Sequence, residues 1–338
     1  LPGQVAQLLP PNLADRTGWA ADIYAAFATQ GIAPSLANVC AVLAVTEQES
    51  SFRADPSIPG LPEIAWREID GRAERIGVPK FVVRAALQLS SSDGRTYSDR
   101  IGAVKTEREL SELYEDFIAG VPLGSRLFAK HNPVRTGGPM QVSIAFAEEH
   151  VTAHTYPFPV TGSIRREVFT RRGGMYFGIA HLLGYEAPYP EPLYRFADFN
   201  AGQYASRNAA FQAAVSRLSG IALVLDGDLL PPGASAGTTG ETERAVQALA
   251  PRLGLGAAAI RRDLEQGDQP ELEGTRLYVR VFELADRSEG RPVPRAVVPD
   301  IALKSPKITR KLTTEWFARR VDERFRRCLA KSAALSGG

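Results

Sequence analysis

Between Leu36 and Val45 the chain carries Leu36, Val39, Cys40, Val42, Leu43 and Val45, with Asn38 as the one strongly polar residue among them. A helix-length segment that is apolar on every side predicts a helix buried all round, here Ser35 to Ser50. It then turns polar at Thr46-Glu47-Gln48-Glu49. Carboxylates at the mouth of an apolar core are costly and need a reason to be there. Apolar periodicity predicts further helices over Trp19 to Thr29, Leu61 to Ile76, Pro79 to Leu89, Glu107 to Ile118, residues 143–155, Leu193 to Gly202 and Asn208 to Leu218. Ser163 to Leu183 reads as one longer helix in spite of Gly173, Gly174 and Gly178. Each of those glycines costs about 1 kcal/mol relative to alanine, so close packing is their expected use. Further on, 241–253 and 257–265 read as helices, and Thr309 to Ala330 as a basic amphipathic helix carrying Arg319, Arg320, Arg324, Arg326 and Arg327. Ile221 to Leu225 reads as a strand or a helix end. Thr275 to Leu284 alternates like a strand, and Val297 to Leu303 is its candidate partner. Pro231 to Thr239 is the most linker-like stretch.

Composition narrows the picture modestly. The 338 residues are 44% hydrophobic and 23% charged, as in a globular protein with a sizeable core. Forty basic against 38 acidic residues leave a net charge of +2, which gives no reason to expect a nucleic-acid partner. No apolar run is long enough for a membrane-spanning helix, and Leu1 to Ala6 lacks the pattern of a signal peptide. The two cysteines, Cys40 and Cys328, fit one long-range disulfide or two buried thiols equally well.

Three short strings carry candidate chemistry: Glu49-Ser50-Ser51-Phe52 followed by Asp55-Pro56, Gly138-Pro139-Met140-Gln141, and Phe199-Asn200-Ala201-Gly202. In this order, each attached to a helical segment, they resemble the goose-lysozyme and lytic transglycosylase superfamily. That family's usual strings are Glu-Ser with a small residue, Gly-Leu-Met-Gln and Tyr-Asn-Ala-Gly. Here proline stands for the leucine and Phe199 for the tyrosine. Gly173-Gly174-Met175-Tyr176-Phe177 sits where the family has a Gly-then-Tyr-Leu helix. More loosely, the whole chain looks like an uncharacterised family of proteobacterial lipoproteins carrying this domain. The resemblance covers roughly residues 35–215. It departs in the roughly 85 residues between the first two strings, where the family has a short connection.

The resemblance implies a mainly α, lysozyme-like domain, placed over 1–230 with a helical insertion at about 57–135; the C-terminal residues have no counterpart in it, and their own pattern predicts a small mixed α/β extension over 231–338. It implies cleavage of the β-1,4 bond between N-acetylmuramate and N-acetylglucosamine in peptidoglycan, without a cofactor and with Glu49 as both acid and base. A carboxyl against apolar walls is held protonated, as an acid catalyst needs. The muramate C6 hydroxyl then replaces water, so one carboxylate suffices where a glycosidase ordinarily uses two. Glu47 is the alternative acid, since an all-apolar helix gives periodicity nothing to choose by. Ser50 and Ser51 would position the sugar or the acid. Met140 and Gln141 would line the sugar groove, and Asn200 would contact an N-acetyl group. Phe199 cannot supply the hydroxyl that the family's tyrosine gives, leaving Tyr176 and Tyr204 as substitutes. A hydrolase would need a second carboxylate, for which Asp55, Glu148 and Asp198 are candidates. His150 and His154, at i and i+4, could face one metal, but no third ligand suggests itself and no metal is expected. The expected partner is the glycan strand and the expected place the periplasm or envelope, with a lipid anchor ahead of Leu1 left open. The rival reading is a non-catalytic peptidoglycan-binding envelope protein that kept the fold.

Overall fold

A computed structural model describes residues 2–129, 131–233, 237–304, 308 and 310–336. Among these the chain is mainly α-helical, with eighteen α-helices, one 3-10 turn and one two-stranded ribbon. It divides into two compact units, Leu1–Pro34 with Thr46–Ile179, and Ser35–Val45 with Ala180–Gly338.

The first unit opens with α1 (Pro2–Leu8) and α2 (Arg16–Thr29) and takes in the last turn of α3 (Leu36–Ser50). The expected insertion is helical throughout: α4 (Leu61–Arg75), α5 (Lys80–Ala86), α6 (Tyr97–Ala103), α7 (Glu107–Gly120) and α8 (Pro122–Phe128). Local chemistry sets these boundaries. Thr106 and Glu109 form a reciprocal capping box that starts α7. Gly77, at φ +69°, ends the turn after α4. Within this stretch the helices share buried aromatic contacts, the Phe117 ring lying 5.1 Å from Tyr97 and 6.0 Å from Phe128. A short hairpin follows, β1 (Thr136–Gly137) against β2 (Val142–Ser143), and runs directly into α9 (Ile144–Ala153). The single helix expected from Ser163 is instead two, α10 (Ile164–Val168) and α11 (Arg171–Leu183). The break is made by Thr170. Its hydroxyl donates to the Glu167 carbonyl at 2.8 Å and accepts from Gly173 N at 2.9 Å, which starts a new helix.

The second unit holds α12 (Pro192–Ala201), α13 (Ala205–Ser219), α14 (Glu241–Ala248), α15 (Ala250–Leu253), α16 (Ala257–Leu264), the 3-10 turn Pro270–Gly274, α17 (Arg276–Glu289) and α18 (Thr314–Ser336). Among the described residues beyond 230 the expected strands are not formed, and an isolated bridge of Ala302 with Thr313 stands in an otherwise helical region. Thr275 caps a helix through Tyr278 N, and Leu277, Val281, Phe282 and Ala285 face the core at helical spacing. The β-branched Val279 and Val281 gave that segment its strand-like alternation. The expected boundary at 230/231 also fails. Phe211, Ala214 and Val215 of α13 share one core with Val246, Leu253, Ile260 and Leu277 beyond it. Of the expected linker, Ala234–Ala236 lie outside the described residues. Cys40 and Cys328, 288 residues apart in sequence, form a disulfide that closes this unit.

Candidate active site

In the first unit the chain leaves α3 sharply. Ser51 and Phe52 both have left-handed backbone, at φ +51° and +60°. Such conformations cost non-glycine residues about 1–3 kcal/mol each and persist only where the surroundings compensate. Phe52 is buried, edge-on to the Trp19 ring at 5.8 Å. Ser51 N donates to the Glu47 carbonyl at 3.1 Å and Arg53 N donates to Ser50 Oγ at 3.2 Å. The helix therefore ends one residue after Glu49.

The second string is the tip of the hairpin. Thr136 pairs with Ser143 and Gly137 with Val142, leaving Gly138–Gln141 as the four-residue turn. Gly138 has φ +77°, and a Cβ there would lie 2.1 Å from the Val168 carbonyl oxygen. Two glycines of α11, one helical turn apart, receive this tip. A Cβ on Gly174 would lie 2.3 Å from Pro139 Cδ, and one on Gly178 would lie 2.4 Å from Met140 Sδ. The glycines that cost helix stability thus give a smooth face for the turn to sit on.

Ser50 joins the two strings. It is buried, and its hydroxyl donates to the Pro139 carbonyl at 2.7 Å across 89 residues of sequence. Thr46, four residues earlier and therefore on the same face, places its hydroxyl 3.8 Å from Met175 Sδ. Glu47 and Glu49 are both half-buried. At about 100° per residue they project to opposite flanks of the Thr46–Ser50 face, so at most one of them looks toward any given groove beside the turn.

Several expected contacts take another form. Met140 is fully buried against Gly178, so it anchors the turn and offers no groove wall. Gln141 is half-buried, and its side-chain amide donates to the Gly138 carbonyl at 3.0 Å, closing its own turn. Ser51 is exposed, its hydroxyl 3.4 Å from the Glu47 carbonyl, as in a helix cap. Tyr176 is buried in an aromatic cluster with Tyr156 at 5.2 Å, Phe177 at 5.1 Å and His150 at 5.8 Å, and burial pushes its hydroxyl pKa up. The His150 and His154 rings stack face to face at 4.3 Å. Burial first, then the neighbouring His154, pushes His150 down to about 4. Among the described residues no cluster of three His, Cys, Asp or Glu side chains could hold a metal ion. Asp55 is paired with Arg108 at 3.1 Å.

The third string lies in the second unit, and its polar groups are already engaged there. Asn200 Oδ1 accepts from the Thr314 hydroxyl at 2.7 Å, at the start of α18. Phe199 has the His181 ring at 5.0 Å and stacks on Phe317 of α18 at 6.5 Å. Asp198 is fully buried and accepts from Tyr185 Oη at 2.7 Å, Tyr204 N at 3.1 Å and Ser206 N at 2.7 Å. It thereby caps α13. Burial pushes its pKa up to about 7, against those hydrogen bonds, which favour the carboxylate. Tyr204 is part of the same arrangement, its ring 5.0 Å from Tyr185 and under the Arg207 guanidinium at 4.1 Å. Tyr204 therefore supports α13, and Asp198 is committed to backbone donors. The buried polar row Arg207, Asn208 and Gln212 escapes sequence reading. Arg207 donates to the Gly267 and Gln269 carbonyls and Asn208 to those of Gly227 and Gly267, while Gln212 accepts from Gly227 N. By residue type they look like a solvated helix face.

Set against known proteins, residues 12–331 match the family described as Protein of unknown function (DUF1615). A relative from Escherichia coli (strain K12), named Uncharacterized protein YaiW, is 54% identical over 325 residues, covering 96% of this chain and 88% of the relative. No solved structure matches the chain.

Proposed function

The chain belongs to the DUF1615 family, and we propose that it is a peptidoglycan lytic transglycosylase with Glu49 as its acid and base. One observation carries this reading. The Ser50 hydroxyl bonds the Pro139 carbonyl, so two strings 89 residues apart meet at one buried hydrogen bond. That is what two parts of a single site require, and nothing in their spacing demands it. Ser50 is a positioning residue: it fixes the last turn of α3, and with it Glu49, against the hairpin tip.

In the proposed reaction the Glu49 carboxyl gives its proton to the glycosidic oxygen as the bond to muramate C1 breaks. The muramate C6 hydroxyl then bonds C1 and returns its proton to Glu49, giving a 1,6-anhydro end and a free 4-hydroxyl on the departing N-acetylglucosamine. No second carboxylate and no cofactor enters. The Cys40–Cys328 disulfide supports an oxidising compartment, which for this substrate is the periplasm or envelope.

The test is digestion of purified sacculi by the wild type and by Glu49→Gln, with soluble products read by mass spectrometry. Anhydromuropeptides from the wild type alone are expected. Products with reducing ends would make the protein a hydrolase. Absence of products together with sacculus binding would leave the second reading, a non-catalytic glycan-binding envelope protein. That reading is favoured by Asn200, whose acceptor oxygen is engaged by Thr314.

A further inference from the structure

The helix α5 has apolar side chains on two opposite faces. Val83 and Leu87 point inward and are fully buried. Arg84 fixes the helix to α4, donating to Asp70 at 3.1 Å with its guanidinium 3.9 Å over the Trp66 ring. The other face has no such use. Phe81 is 74% exposed, Leu89 51%, Val82 37%, and Ile76, just before the turn at Gly77, 36%. Hydrogen bonds from Gln88 N to Ala85 O and from Leu89 N to Ala86 O continue the turn, so Phe81, exposed Ala85 and Leu89, four apart, form one outward stripe. An apolar stripe left to water marks an interaction surface.

Two features choose the partner. Phe81 stands out from the surface, which suits a soft apolar medium that side chains can enter. Cations predominate beside the stripe: Arg75 and Lys80 are exposed next to it in sequence, with exposed Glu74 ahead of Arg75 and no acidic residue from Arg75 through Ser92. Short helices with apolar side chains on one face and cations at its edge lie in the plane of anionic bilayers. We propose that this face of α5 docks on an anionic phospholipid surface, with Phe81, Val82 and Leu89 entering the acyl boundary and Arg75 and Lys80 against the phosphates. The proposal is independent of the glycan-cleaving reading.

The test is co-sedimentation of the purified 338-residue chain with vesicles of phosphatidylethanolamine and phosphatidylglycerol, and with vesicles of phosphatidylcholine alone. The wild type should pellet with the anionic vesicles and less so as salt is raised. Phe81→Ser/Val82→Ser/Leu89→Ser should lower the partition coefficient by at least about tenfold. Arg75→Glu/Lys80→Glu, which touches no buried residue, should lower it too and keeps the test open if the triple variant misfolds. Absence of wild-type pelleting with anionic vesicles, or pelleting of both variants equal to that of the wild type, overturns the proposal. So does a wild-type dimer that the triple variant dissolves, which would assign the face to a second copy.

Discussion

The Glu49 region and the Asn200 region begin as similar strings of polar and small residues, and they end differently. Around Glu49 one polar group joins two distant strings, Ser50 on Pro139, and another closes its own turn, Gln141 on Gly138. The result is a rigid helix end and turn with a half-buried carboxyl beside them. Around Asn200 the polar groups are spent on neighbouring helices, Asn200 on Thr314 of α18 and Asp198 on the start of α13. The first arrangement joins a helix end to a hairpin tip beside a carboxylate, whereas the second ties helices together. A short string therefore shows where polar residues sit, and only their partners show whether they are left for chemistry.

That contrast can be broken most forcefully at Asp198. Asp198→Ala would strand three donors in a dry site and should cost about 3–5 kcal/mol in denaturant unfolding, the largest effect expected here. The same group gives a pH signature. Its folded pKa, about 7, lies above the ordinary 3.8, so the folded state holds a proton that the unfolded state releases. Its contribution is complete below about 4 and is lost as pH rises toward 7, with a slope of about 1.4 kcal/mol per pH unit. Asp198→Asn should lack that slope, and stability measured across this range checks it.

The next effect also concerns the second unit. Replacing Cys40 and Cys328 together by serine should lower its stability by about 2–5 kcal/mol while leaving the proposed glycan cleavage unchanged, a separation that melting and product release measured in parallel would reveal.

In the first unit the glycine face sharpens the comparison. Gly174→Ala forces a methyl into Pro139 and the Val168 carbonyl, at 2.3 and 2.8 Å. It should cost about 1–3 kcal/mol, in spite of the better helix former, and should lower turnover by displacing the turn. Ser50→Ala should cost about 1–2 kcal/mol, since the Pro139 carbonyl loses its buried donor. A positioning role predicts that kcat falls more than KM rises, and that Ser50→Thr restores part of it; a purely structural serine would move melting alone.

Much of the helical order was legible because buried faces repeat at helical spacing, as in α7, or because a helix-length stretch is apolar all round, as in α3. The breaks were harder. Thr170 divides a segment whose apolar residues run on, and the hydroxyl bonds that divide it leave no periodic trace. Val279 and Val281 alternate like a strand, yet Leu277, Val281 and Ala285 decide for a helix once a core is there to bury them. At the candidate site the strings mark where polar and small residues cluster, but the roles of single residues depend on long-range partners. Met140 reads equally well as a groove wall or an anchor until Gly178 is found against it. Asn200 reads as a ligand-binding amide until Thr314 is found on its oxygen.

The most direct test compares the two carboxylates that flank the Thr46–Ser50 face. One batch of sacculi would be digested by the wild type, by Glu49→Gln and by Glu47→Gln, and the rate of 1,6-anhydromuropeptide release measured for each. The account predicts that Glu49→Gln loses at least about a hundredfold in rate with melting unchanged, while Glu47→Gln stays within a few-fold of the wild type. Release by Glu49→Gln at the wild-type rate, or loss confined to Glu47→Gln, would contradict it.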